Sequence, residues 1–232
     1  MSAVASSLPA GRRPASRFRR RLTSTVGLKL IMAVTGVILS LFVLGHMLGN
    51  LQVFQGAEAI DAYGRLLRRE PALLWAVRAG LLAAVVLHIW AFVVLFRRSN
   101  AARPQGYRHA RAYRESTYAS RTMKLTGPLV LAFIIYHILH MTTGTVHPSF
   151  EEGAVYHNLT TGLAGIVGAI YVIAMILLAF HLWHGVWSML LTLGLPEGRY
   201  RSLGRNFATV FTALVTLGFI AIPLAIMTGL IK

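Results

Sequence analysis

The sequence predicts an all-α membrane protein, a bundle of five transmembrane helices. Three observations predict it. Of the 232 residues, 56% are hydrophobic and only 13% charged, too apolar a balance for an ordinary soluble domain. Apolar runs of about 20 residues or more, enough to cross a bilayer core, recur along the chain. Basic connections alternate with neutral or acidic ones, as the positive-inside rule requires of a multi-pass chain.

The five spans cover about 28–51, 72–96, 125–146, 160–194 and 207–231. Lipid offers backbone polar groups no partners, so each span is read as a helix. Residues 1–22 form a small, proline-containing cationic tail, expected to be disordered against anionic headgroups. Residues 23–232 form the bundle, with no room for a second domain. The first span is too long for a cleaved signal and lacks a small-residue cleavage site, so it is read as retained. It closes on Gly45, Gly49 and Asn50, small residues that admit a neighbouring helix or a flat ligand. Residues 57–70 set Ala57, Ile60, Tyr63, Leu66 and Leu67 near one face and predict a short surface helix. Pro71 suits the first turn of the second span and Pro128 the start of the third. The fourth stretch, about 35 residues long, exceeds the bilayer and is expected to tilt or project. Pro223 marks a kink in the last span.

The net charge of +16 is distributed by topology. Six arginines and no acid lie in the tail (Arg12, Arg13, Arg17, Arg19, Arg20, Arg21). The 97–124 connection sets eight basic residues against Glu115, and 195–206 sets Arg199, Arg201 and Arg205 against Glu197. On the other side, 52–71 balances three arginines with Glu58, Asp61 and Glu70, and 147–159 carries Glu151 and Glu152. The N-terminus is therefore expected in the cytoplasm and Lys232 outside a cell inner or plasma membrane. This alternation argues against nucleic acid as the partner. The 97–124 connection reads equally as a solvated loop or as a docking surface for a cytoplasmic protein. Without cysteine, the chain itself holds no disulfide, zinc–thiolate site or iron–sulfur cluster.

Histidines carry the chemistry. His109, His147 and His157 fall in connections and read as solvated; His46, His88, His137, His140, His181 and His184 fall in spans. Proton relays and ion carriers usually pair such histidines with intramembrane acids, but all seven acids here lie in connections. Histidine pairs in a membrane bundle suit haem iron, which takes axial imidazoles. At a rise of about 1.5 Å per residue, His88 and His181 both lie roughly 6 Å to the cytoplasmic side of their span centres. His46 lies roughly 9 Å to the outer side, His137 near the midplane and His140 about 4 Å further out. Two levels emerge, and depth alone slightly favours His140 over His137 as the partner of His46. The bland alternative is a haem-free membrane transporter or structural protein, with histidines as interhelical hydrogen bonds.

Four segments carry a resemblance: STVGLKLIMAVTG at 24–36, HMLGNLQVFQG at 46–56, YHILHMTTG at 136–144 and FHLWHGVWS at 180–188. With the topology, they make the chain resemble the membrane-anchor cytochrome b subunits of succinate dehydrogenases and fumarate reductases, of the single-subunit, five-helix, two-haem type. The likeness spans about 23–230. It implies two b haems with His46, His88, His137 and His181 as axial ligands. His137 follows an apolar–aromatic pair, Ile135-Tyr136, as the family ligand does, and His181 stands four residues before Gly185 and six before Trp187. His140 and His184 then fall to haem-propionate or supporting positions.

The resemblance also implies a flavoprotein and an iron–sulfur subunit docked on the basic face; a higher oligomer of the complex is a further expectation. Electrons would run from the iron–sulfur subunit through the inner haem and then the outer haem to a quinone. Because that path leads from a negative inside to a positive outside, favourable by up to about 2.3 kcal/mol per 100 mV, a low-potential quinone such as menaquinone is expected. The succinate chemistry belongs to the partners. Lys29 reads as snorkelling or as a propionate partner, and Arg78 equally as a propionate partner or an interfacial arginine. Glu70 and Glu58 are candidates for quinone protonation, Glu70 against a salt bridge with Arg65 or Arg69. A di-haem subunit of another membrane dehydrogenase or hydrogenase is the neighbouring alternative.

Overall fold

The computed structural model describes residues 21–102, 118–195 and 198–232, which are helical almost throughout and contain no strand. Helix α1, Thr25–Asn50, is capped by Ser24, whose hydroxyl accepts the Gly27 N–H at 3.0 Å, satisfying one of the four free donors of a helix start. A 3-10 turn, Leu51–Gln55, leads to Gly56, whose φ of +99° suits only a residue without Cβ. Then come α2 (Ala57–Arg68), α3 (Pro71–Ala101), α4 (Tyr118–Met141), α5 (Val155–Gly162), α6 (Gly165–Thr192) and α7 (Arg201–Met227). Helices α1, α3, α4, α6 and α7 are long and apolar enough to cross a membrane.

Helix α7 packs along α6, α1 packs against α3, α6 and α7, and α4 packs against α6. Lipid tails are as apolar as leucine, so helices associate through close packing and small residues rather than hydrophobic burial. Gly218 of α7 accordingly receives Met47 of α1, and Gly168 of α6 receives Met227 of α7. Arg98 of α3 donates to the Thr23 carbonyl at 2.8 Å, and Lys124 of α4 lies 4.8 Å over the Phe96 ring. These contacts gather cationic residues at one end of the bundle, the basic end. At the other, the acidic end, α2 packs against α5. There the Tyr156 N–H donates to Asp61 at 2.9 Å and its hydroxyl donates to the Lys232 carbonyl at 3.0 Å. All acids among the described residues lie at this end.

Most sequence expectations find a counterpart. The short helix expected within 57–70 forms over Ala57–Arg68, and Pro71 sits in the first turn of α3. Three differ. The fourth apolar stretch is not one helix: its start belongs to α5, and the chain breaks at Leu163 and Ala164 before α6, with Ala164 extended and Gly165 at φ +57°. Pro128 lies inside α4 rather than at its start, because the helix begins ten residues earlier at Tyr118. Helix α4 also ends at Met141, short of the expected 146, where Gly144 turns at φ +70°. Of the small residues closing α1, Gly49 lies against Tyr63, whereas Gly45 faces open space. The tail arginines Arg12 to Arg20, His109, Glu115, Glu197 and residues 103–117 lie outside the described residues.

Candidate functional site

Toward the basic end, His88 of α3 and His181 of α6 face each other with ring centroids 6.4 Å apart and planes at 55°. Helices α3 and α6 are not among the principal helix contacts, so the two imidazoles meet across a gap. Two imidazole nitrogens each bound at about 2 Å to one metal are about 4 Å apart, which sets ring centroids at roughly 6 Å. The Thr35 hydroxyl donates to the Ile31 carbonyl at 2.8 Å and lies 3.1 Å from His88 Nδ1. A hydroxyl has one proton; with that proton on the Ile31 carbonyl, the oxygen is an acceptor for His88 in its Nδ1–H tautomer, which leaves the Nε2 lone pair free. His181 Nδ1 is buried with no hydrogen-bond partner. Gly36 and Gly127 line the two ring edges: a Cβ at either would lie 3.9 Å from His88 Cε1 or 3.8 Å from His181 Cε1.

Toward the acidic end, His46 of α1 and His137 of α4 have centroids 5.7 Å apart and planes at 78°. Again α1 and α4 are not principal neighbours. Phe42 stacks on His46 at 5.4 Å and Phe133 on His137 at 5.9 Å. The Asn50 amide donates to the His46 carbonyl at 2.8 Å and lies 3.4 Å from its Nδ1. His137 Nδ1 lies 3.3 Å from the Tyr171 hydroxyl.

His140 takes a different place from His137. It is 1% exposed, its Nδ1 lies 3.0 Å from the Tyr171 hydroxyl, and its ring stacks on Tyr136 and His147 at 5.3 and 4.7 Å. His147, expected to be solvated, is buried. The reason is local: the 142–154 segment folds back, so His147 Nδ1 accepts the Ser149 N–H at 3.1 Å and Nε2–H donates to the Asn158 carbonyl at 3.0 Å. The Asn158 side chain closes the turn on the Glu151 backbone at 2.8 and 2.7 Å. His157 stays at the surface near Glu151.

Among the described residues, no three or more His, Asp or Glu side chains converge on a point that would hold a bare ion. Four of the six intramembrane histidines meet in twos, His88 with His181 and His46 with His137. Facing imidazoles, with Gly36 and Gly127 at the ring edges of the basic-end pair and the rings of Phe42 and Phe133 beside the acidic-end pair, fit a flat macrocycle that brings its own four equatorial ligands.

A family model for the succinate dehydrogenase/fumarate reductase transmembrane subunit matches residues 100–222, more than half of the chain. The chain belongs to this family. Comparison with curated proteins and with solved structures returned no match. The matched segment contains His137, His140, Tyr171, His181 and His184; His46 and His88 precede it. This chain is thus a multi-pass membrane subunit of a succinate dehydrogenase or fumarate reductase complex, an oxidoreductase.

The other predicted positions of this transmembrane subunit are peripheral to the two pairs. His184 is one turn beyond His181 and partly buried. Lys29 is exposed near the basic end of α1. Arg78 is exposed, with its guanidinium 5.0 Å over the ring of Trp75. Glu58 lies in the first turn of α2 and Glu70 just before α3, both exposed, and Glu70 pairs with neither Arg65 nor Arg69. Sequence reading missed Thr35, Gly36, Gly127 and Tyr171. Tyr171 alone had a legible signal: ten residues before His181 on one helix, about 15 Å away along the axis, it falls at the depth of the other histidine pair.

Proposed function

We propose that this subunit binds two b haems, one between His88 and His181 and one between His46 and His137, and connects an iron–sulfur partner to quinone. The observation that carries the reading is the meeting of imidazoles, in twos and at two depths, from helices that are not otherwise close neighbours. When bound, the haems would supply one-electron redox capacity at two depths of the membrane.

The chain's own residues do the positioning. Thr35 holds the His88 ring in the tautomer that leaves Nε2 free, as an oriented metal ligand requires. Phe42 and Phe133 stack on His46 and His137, restrict ring rotation and keep water from the site. At the basic end, the exposed Arg97, Arg98, Arg199, Arg201 and Arg205 form a cationic face suited to an iron–sulfur subunit that itself docks a flavoprotein. That face would be cytoplasmic, since basic connections stay on the inside. Quinone would be reduced toward the acidic end, where Glu58 and Glu70 are exposed proton-bearing groups; menaquinone is the preferred substrate.

A reduced-minus-oxidised absorption spectrum of the purified complex tests this. A b-type band is expected, together with co-purifying flavin. A complex without that band would sink the haem reading and favour histidines that merely hydrogen-bond between helices.

A further inference from the structure

We propose that Tyr171 is the positioning residue of the acidic-end pair: its hydroxyl orients His137 and at the same time holds His140 away from the metal. The inference rests on the reading of His137 as an axial ligand. Tyr171 is buried, and its hydroxyl lies 3.3 Å from His137 Nδ1 and 3.0 Å from His140 Nδ1. A phenol has one proton to give and oxygen lone pairs to accept with. It therefore cannot donate to both rings.

The direction of the chain follows from the ligand. An imidazole bound through Nε2 carries its proton on Nδ1, so His137 donates to the Tyr171 oxygen. Tyr171 then gives its own proton to His140 Nδ1, and the His140 proton is left on Nε2. Each donor in such a chain strengthens the next. A partner that accepts from the far nitrogen of a metal-bound histidine fixes its ring and raises its basicity.

Surrounding rings hold the phenol in place. Phe133 and Tyr136 meet the Tyr171 ring edge-on, at 5.0 Å and 85° and at 6.2 Å and 66°. His140 is also held, because its ring stacks on Tyr136 and on His147, and His147 is pinned through both nitrogens. One hydroxyl thus assigns two histidines, three residues apart on α4, to different tasks. Phenylalanine would fill the same space and leave both Nδ1 atoms without their partner.

The test is a redox titration and low-temperature EPR of the purified complex carrying Tyr171→Phe, with the two haem signals assigned beforehand through His88→Ala and His137→Ala. The expected result is an upward shift of the acidic-end midpoint potential, or loss of that signal alone, with the basic-end signal unmoved. A less basic imidazole stabilises the oxidised iron less, which sets the sign. An unmoved acidic-end signal, or equal disturbance of both, overturns the proposal. If Tyr171→Phe does not accumulate, His140→Ala decides. It should keep two bis-histidine signals with a smaller upward shift at the acidic end; loss of that haem, or no shift, overturns the proposal. A wild-type complex without haem would instead overturn the underlying reading, a separate outcome.

Discussion

Thr35 shows how much chemistry one hydroxyl carries. With its proton on the Ile31 carbonyl, its oxygen is the acceptor for His88 in the Nδ1–H tautomer that an Nε2 ligand requires. Thr35→Val keeps the shape and removes the acceptor, leaving a buried N–H unsatisfied at about 1–3 kcal/mol. The basic-end haem should become easier to reduce and easier to lose on heating, with the acidic-end haem unchanged; redox titration and thermal haem release measure this. Gly127 tests the room beside the same pair. Alanine there would make only ordinary contact, 3.8 Å from His181 Cε1, and should be tolerated. Leucine would fill the space beside the imidazole and should lower the haem-to-protein ratio. The histidines were legible in the sequence because an ionisable side chain stands out in an apolar run. Thr35, Gly36 and Gly127 were not, because threonine and glycine are ordinary in membrane helices and acquire meaning only against a partner ring. Depth along the helix could not divide His137 from His140 either. What separates them is direction around α4, one ring toward His46 and the other toward His147.

The five long helices were legible as elements because length and apolarity suffice to announce them. The acidic-end cap was not. Residues 160–194 read as one predominantly apolar stretch, and hydropathy does not register the break at Leu163 and Ala164 that separates α5 from α6. That break matters because it lets α5 turn across the end of the bundle and bring Gly162 against the His147 ring. Gly162→Ala would press a methyl group into a ring held by two hydrogen bonds, with His140 Cε1 only 3.0 Å from the new carbon. Overpacking of this kind costs about 1–3 kcal/mol. Thermal denaturation of the complex should show the loss, and the acidic-end haem should be released first.

At the scale of the whole molecule, the proposed function predicts a direction from the charge asymmetry and the two depths. The native chain has no cysteine, so single introduced cysteines report topology without background. Lys232→Cys should react with an impermeant maleimide added outside intact cells, and Ser202→Cys only after the cells are opened; the reverse pattern would invert the orientation. With quinone reduced near the outer side, an electron would move from a negative to a positive compartment, favoured by up to about 2.3 kcal/mol per 100 mV. Collapsing the membrane potential should therefore slow succinate-driven reduction of a low-potential quinone by intact membranes. An unchanged rate would place quinone reduction at the other side.

The central claim is the assignment of four histidines to two haems, and haem content per chain across single-histidine variants addresses it most directly. The wild-type subunit should carry two b haems. His46→Ala, His88→Ala, His137→Ala and His181→Ala should each lose bis-histidine ligation at one level, whereas His140→Ala and His184→Ala should keep two. Haem loss confined to His140→Ala or His184→Ala, or a wild-type complex with no haem, would contradict it.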